Sequence, residues 1–152
     1  MLLQAEVIGK YDRAADASHL LYAPLAQSLT FRETRRYTLE YTGSAEACEE
    51  FLKRVLSDST SHELHLGPQA ALTGQSFILD YGMKPGALDL EKETILGYFR
   101  SLEKPEFSLL SLKIQRRVYL FGAGAAEVTA LSARFVKDIV NPAVHHFTVH
   151  AA

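Results

Sequence analysis

Two pairs of adjacent arginines, six histidines and a single cysteine are the side chains of this sequence best suited to chemistry. A nucleophilic thiol needs exposure, a neighbouring base and a lowered pKa. Cys48 instead falls in an apolar stripe with Phe51, Leu52, Val55 and Leu56 at helical spacing, so a core cysteine is expected. No catalytic residue is assigned. His145, His146 and His150, with His62 and His65, raise the question of a metal. In a strand His146 and His150 share a face, but too far apart to hold one ion, and no Cys or acidic group stands at a zinc-like interval. Exposed strand histidines and no metal are expected. Gly122-Ala123-Gly124-Ala125-Ala126-Glu127 opens like a dinucleotide loop, yet Glu127 occupies the place of the third glycine and would repel a pyrophosphate. A tight turn and no bound cofactor are expected, and the chain contains no Walker-type lysine loop.

The pairs Arg35-Arg36 and Arg116-Arg117 carry more information. Neighbours in a strand point to opposite faces. One arginine of each pair should therefore reach solvent or a partner, while the other approaches the apolar side and requires a carboxylate. Their recurrence suggests a symmetric, partner-facing surface. The alternative is a solvated sheet face or edge kept from aggregating by charge.

The elements that position these residues follow from periodicity. Gln4–Tyr11 and Arg32–Tyr41 alternate as strands. Ser18–Leu29 has Leu21, Leu25 and Leu29 at helical spacing, with Pro24 kinking the helix or delaying its start. Ser44 caps a helix, and Glu63–Leu66 is a short strand ended by Gly67-Pro68. Pro68–Gln75 reads as a linker. Phe77, Leu79 and Tyr81 then alternate in a strand, Lys84-Pro85-Gly86 turns, and Asp89 caps a helix running to Leu102. Phe107–Phe121 is a long strand with Leu110, Leu112, Ile114, Val118 and Leu120 on one face, Arg116 among them. Glu127–Val140 is a helix and His145–His150 the last strand.

Both halves read strand, helix, strand, helix, strand, and the letters agree. Arg35-Arg36-Tyr37-Thr38-Leu39 aligns with Arg116-Arg117-Val118-Tyr119-Leu120, and Gln27-Ser28-Leu29 with Arg100-Ser101-Leu102. Gly43 and Gly124 fall at the same interval after the arginines, where a tight turn is expected. The expectation is an α/β, two-layer (α+β) fold of two tandem units, 1–67 and 76–152, joined by 68–75. They would form a pseudo-symmetric intrachain dimer with antiparallel sheets. Of 152 residues, 47% are hydrophobic and 22% charged, and the formal net charge is −2. That balance argues for a folded domain and against nucleic acid or an anionic membrane. No apolar run approaches the roughly 20 residues of a membrane span, and no signal-peptide pattern appears. A cytoplasmic protein is expected.

The second half resembles the PurS family, the small accessory subunits of phosphoribosylformylglycinamidine synthase. Met83-Lys84-Pro85-Gly86-Ala87-Leu88-Asp89 is similar to that family's turn between first strand and first helix. Phe99-Arg100-Ser101-Leu102 is similar to its continuation, and Asn141-Pro142-Ala143-Val144 to its closing segment. The family's middle-strand Gly-Lys-Tyr is replaced by Gln115-Arg116-Arg117-Val118-Tyr119, and the first half follows only through the repeat. The resemblance implies a non-catalytic subunit that bridges the glutaminase and synthetase subunits and helps ammonia pass between them. Arg35, Arg36, Arg116, Arg117, Lys84, Asp89, Asn141 and Pro142 are then the partner-binding candidates, with further homo-oligomerisation open. Two other readings stand beside it. One is a regulatory module binding a small ligand. The other is an enzyme with Arg116 or Arg117 holding an anion and His145 or His146 as base.

Overall fold

The computed structural model describes residues 1–56 and 60–151. In chain order the elements are β1 (Leu2–Gly9), β2 (Ala15–Asp16), β3 (Thr30–Gly43), α1 (Ala45–Leu56), β4 (His62–Leu66), β5 (Phe77–Met83), α2 (Leu90–Arg100), β6 (Phe107–Phe121), α3 (Val128–Ile139) and β7 (His145–Ala151). Short 3₁₀ turns cover Ala17–Leu20 and Ala125–Glu127. The strands hydrogen-bond in the order β4-β1-β3-β6-β5-β7, with β2 also on β3. Pairing is antiparallel, as in β1 on β3, where Glu6 opposes Arg36, and β5 on β6, where Asp80 opposes Arg117. This is an α+β chain, as the periodicities require.

The helix expected at Ser18–Leu29 does not form. After the 3₁₀ turn, which Asp16 caps through the Ser18 amide, the chain bends back so that Ala17 N–H bonds Leu29 C=O at 2.9 Å. Pro24 supplies no amide and blocks the helix, and the Ser18 hydroxyl takes up the Leu25 amide instead. The leucines still turn inward. Leu29 is buried and Leu21 and Leu25 pack beside it. The other helices start where their caps predict. Ser44 Oγ accepts from the Ala47 amide at 3.1 Å and Asp89 Oδ1 from the Lys92 amide at 3.1 Å.

Two compact units divide the chain, and they are interleaved in sequence. The first comprises Met1–Lys10, Arg35–Ala71 and Leu88–Ile114, the second Tyr11–Thr34, Leu72–Ala87 and Gln115–Ala152. In the first, Ala5, Leu39 and Tyr41 of the strands pack with Cys48, Phe51 and Leu52 of α1 and with Ile95 of α2. In the second, Phe77, Leu79, Val118 and Leu120 pack with Phe135 of α3 and with Ala17 and Leu29. Each core thus draws on both halves of the sequence, so 1–67 and 76–152 are not the compact units. The segment after β1 serves the second core, and α2, the segment after β5, serves the first.

Along β6 the burial phase slips by one residue. Leu110 and Ser111 are both exposed, and inward positions move from Phe107 and Leu109 to Leu112 and Ile114. A bulge has this effect, and it is why Leu110, expected with Leu112 on the buried face, is 58% exposed.

Candidate functional site

Alternation along β3 sends Tyr37, Leu39 and Tyr41 to the helix-covered face and Arg36 to the other. In β6, Val118 and Leu120 face the helices and Arg117 does not. Neither reverse face is open. The side chains of Arg36 and Arg117 are each only 7% exposed, and each meets the carboxylate of the residue opposite it on the neighbouring strand.

The two arrangements differ in detail. In the second unit, Arg117 donates from Nε and Nη2 to the two Asp80 oxygens, both at 2.7 Å, a planar bidentate pair. His150 Nε2 lies 3.0 Å from Asp80 Oδ2, with half its side chain in solvent. In the first unit, Arg36 Nη1 is 3.6 Å from Glu6 Oε1, and its Nη2 donates to the Pro68 carbonyl at 3.0 Å. The Ala71 amide donates to the same Glu6 oxygen at 3.4 Å. The segment read as a linker therefore lies over this pair and helps solvate it with backbone groups.

The outer arginines also have acidic partners. Arg35 Nη1 is 3.3 Å from Glu91 Oε1, which accepts the Tyr37 hydroxyl at 2.5 Å. Arg116 Nη1 is 3.6 Å from Glu33 Oε1. These side chains are 54% and 59% exposed. Burial first, and then the hydrogen bond to Glu91, raise the Tyr37 pKa above its ordinary value. Burial, followed by Glu33, raises that of Tyr81. Both phenols stay protonated, and Tyr37 donates to Glu91. The expectation that each pair splits between the interior and the surface holds. The faces are the surprise: the outward arginines share the helix-side face, and the buried ones lie on the reverse. Arg36 and Arg117 are buried, and Arg35 and Arg116 are the exposed cations of the four.

The remaining candidates separate into two places. Lys84 Nζ donates to the Pro142 carbonyl at 2.5 Å and the Lys84 amide to Val144 at 2.7 Å. Asn141 Oδ1 accepts from the Ala143 amide, while the Asn141 amide donates to His145 Nδ1 at 3.0 Å. Lys84, Asn141 and Pro142 thus form one clasp between the ends of β5 and β7. Asp89 belongs to the other unit, where it caps α2. His145 accepts from the Asn141 amide and is half-buried, while His150 is exposed, as expected of a strand histidine, and reaches Asp80.

Cys48 is fully buried, and burial, with Glu49 nearby, pushes its thiol up to about 11. It is the core cysteine its spacing predicts. In the glycine loop the left-handed residue is Gly122 (φ +97°), not Gly124 (φ −74°). A Cβ at Gly122 would sit 3.3 Å from the Ser28 carbonyl. Its counterpart is Gly43 (φ +98°), where a Cβ would meet the Glu106 carbonyl at 2.6 Å. Each is the close approach of one long strand's end to the segment leading into the other.

Sequence reasoning missed Glu6 and Asp80 as the partners of Arg36 and Arg117, because only strand register brings them together. A clue was present in that each half has one acid in its first strand. In the first unit an open groove of about 250 Å³ is lined by residues of α1 and α2 and the segment after α2, among them Phe51, Arg54, Tyr98, Lys104 and Phe107. Among the described residues no three His, Cys, Asp or Glu side chains converge on a metal position, and no helix is long and apolar enough to cross a membrane. Comparison with protein-family models, curated proteins and solved structures gave no match.

Proposed function

We propose that this chain is a non-catalytic assembly subunit of a glutamine-dependent phosphoribosylformylglycinamidine synthase, working in the cytoplasm as a tandem PurS-like pseudo-dimer. In this role it bridges a glutaminase and a synthetase subunit so that ammonia passes between them. The observation that carries the reading is the matched ion pairs: Glu6–Arg36 and Asp80–Arg117 occupy the same cross-strand position in the two sequence halves. Strand order agrees with a duplicated unit. From each end inward, the final, first and middle strands of one half follow one another.

A bridging subunit needs presented surface more than reactive groups. Arg35 and Arg116 supply exposed cations whose placement is fixed by the buried neighbours Arg36 and Arg117. The segment from Lys84 to Leu90, which carries the family resemblance, exposes Leu88 and Leu90 at 69% and 70% on either side of Asp89. Apolar side chains presented in this way suit a protein contact.

The test is reconstitution with purified glutaminase and synthetase subunits, comparing glutamine-driven with ammonia-driven turnover. The chain is expected to be required for the first and dispensable for the second. Arg35→Glu with Arg116→Glu should lower glutamine-driven turnover at least tenfold while far-UV circular dichroism stays unchanged. Glutamine-driven turnover at full rate without the chain would refute the role.

A further inference from the structure

β7 ends the strand order and pairs along one side only, with β5, from His145 to Ala151. Among the described residues its other side faces no strand. A sheet edge of that length can template pairing with another strand, and proteins that stay single blunt such edges with lysine, proline, other charges or a very short strand. β7 has none of these. His-His-Phe-Thr-Val-His-Ala contains no proline, no lysine or arginine and no carboxylate, and Phe147 is 48% exposed. At the opposite end of the order, β4 is protected. It has five residues and bears Glu63, whose side chain is 58% exposed.

The side chains of β7 also suit a copy of themselves. Antiparallel pairing about a two-fold axis at Thr148 sets Thr148 against Thr148 and Phe147 against Val149, and threonine pairs and aromatic–β-branched pairs are favourable cross-strand neighbours. Phe147 and Val149 alternate to the α3 side, where Val149 already packs on the core, so the partner's Val149 would cover the exposed Phe147 ring. His146 opposes His150. We propose that β7 is a homodimer interface, pairing edge to edge with β7 of a second copy of this chain. The proposal stands on the edge itself and is independent of the assembly role above.

Sedimentation equilibrium of the full chain decides it. A mass of twice 16.9 kDa is expected at micromolar concentration. Phe147→Lys should return the chain to monomer with an unchanged circular dichroism spectrum and melting temperature, while Leu66→Lys on β4 should leave the dimer intact. A wild-type monomer, or a dimer abolished by Leu66→Lys and unaffected by Phe147→Lys, overturns the proposal. If Phe147→Lys fails to fold, Thr148→Cys replaces it. Cys48 is buried, so air oxidation should give one disulfide-linked dimer on non-reducing gels through position 148, and oxidised protein that stays monomeric overturns the proposal equally.

Discussion

Asp80→Ala should be among the most damaging single substitutions in the chain. The carboxylate accepts two hydrogen bonds from Arg117 at 2.7 Å and a third contact from His150 at 3.0 Å. With Asp80 removed, a guanidinium that is 7% exposed loses the anion it was folded against. Removing one partner of a buried pair costs about 3–5 kcal/mol. With a urea m-value of about 2 kcal/mol/M, the midpoint would fall by roughly 2 M. Glu33→Ala is the matched control. It removes the partner of Arg116 on the surface, where an exposed pair is worth about 0–1 kcal/mol. Urea titration followed by far-UV circular dichroism suits a chain without tryptophan. The decisive sample is Asp80→Ala with Arg117→Met, in which no charge is stranded. It should be more stable than Asp80→Ala alone. Destabilisation of Asp80→Ala below about 1 kcal/mol, or a double variant whose loss is the sum of the singles, would refute the reasoning.

Gly43→Ala should destabilise the chain well beyond Gly86→Ala. Both sites have positive φ, but a Cβ at Gly43 strikes the Glu106 carbonyl at 2.6 Å whereas nothing lies within 4 Å at Gly86. The second change carries only the left-handed penalty of about 1 kcal/mol, and thermal melts of the two variants compare them directly. Cys48 should react with a thiol reagent at pH 8 about 100-fold more slowly than an ordinary cysteine, because its pKa of about 11 leaves that much less thiolate. The sign for stability follows. A thiol whose pKa is raised by folding contributes fully below its unfolded value near 9, and that contribution is lost as pH rises through about 11. Urea midpoints of wild type should therefore fall between pH 9 and 11 by more than those of Cys48→Ala.

Strands and caps were legible because each rests on local signals. Tyr37, Leu39 and Tyr41 alternate, and Ser44 and Asp89 stand where a helix start needs an acceptor. β6 was delimited to the residue, since Phe107 to Phe121 alternates without a breaker. Its inner face was read rightly from Leu112 to Leu120 and wrongly at Leu110, because a bulge leaves no mark in composition. The 17–29 segment misled for the opposite reason. Its leucines have helical spacing and do turn inward, but Pro24 denies them a helix, and burial alone cannot distinguish a packed loop from one. As for the site, the requirement that one arginine of each pair find a carboxylate could be argued from charge. Which carboxylate depended on register between distant strands, and register is a tertiary fact.

Because α1 packs its inner face on Ile95, Phe107 and Leu112, that face has no complete partner while the first half of the chain is leaving the ribosome. Cys48, Phe51 and Leu52 must wait until synthesis has passed Leu112, several seconds later at the roughly 5–20 residues per second of translation. Leu29 waits longer, for Phe135 of α3. The nascent chain is thus committed to holding apolar surface in the open until Phe135 has emerged.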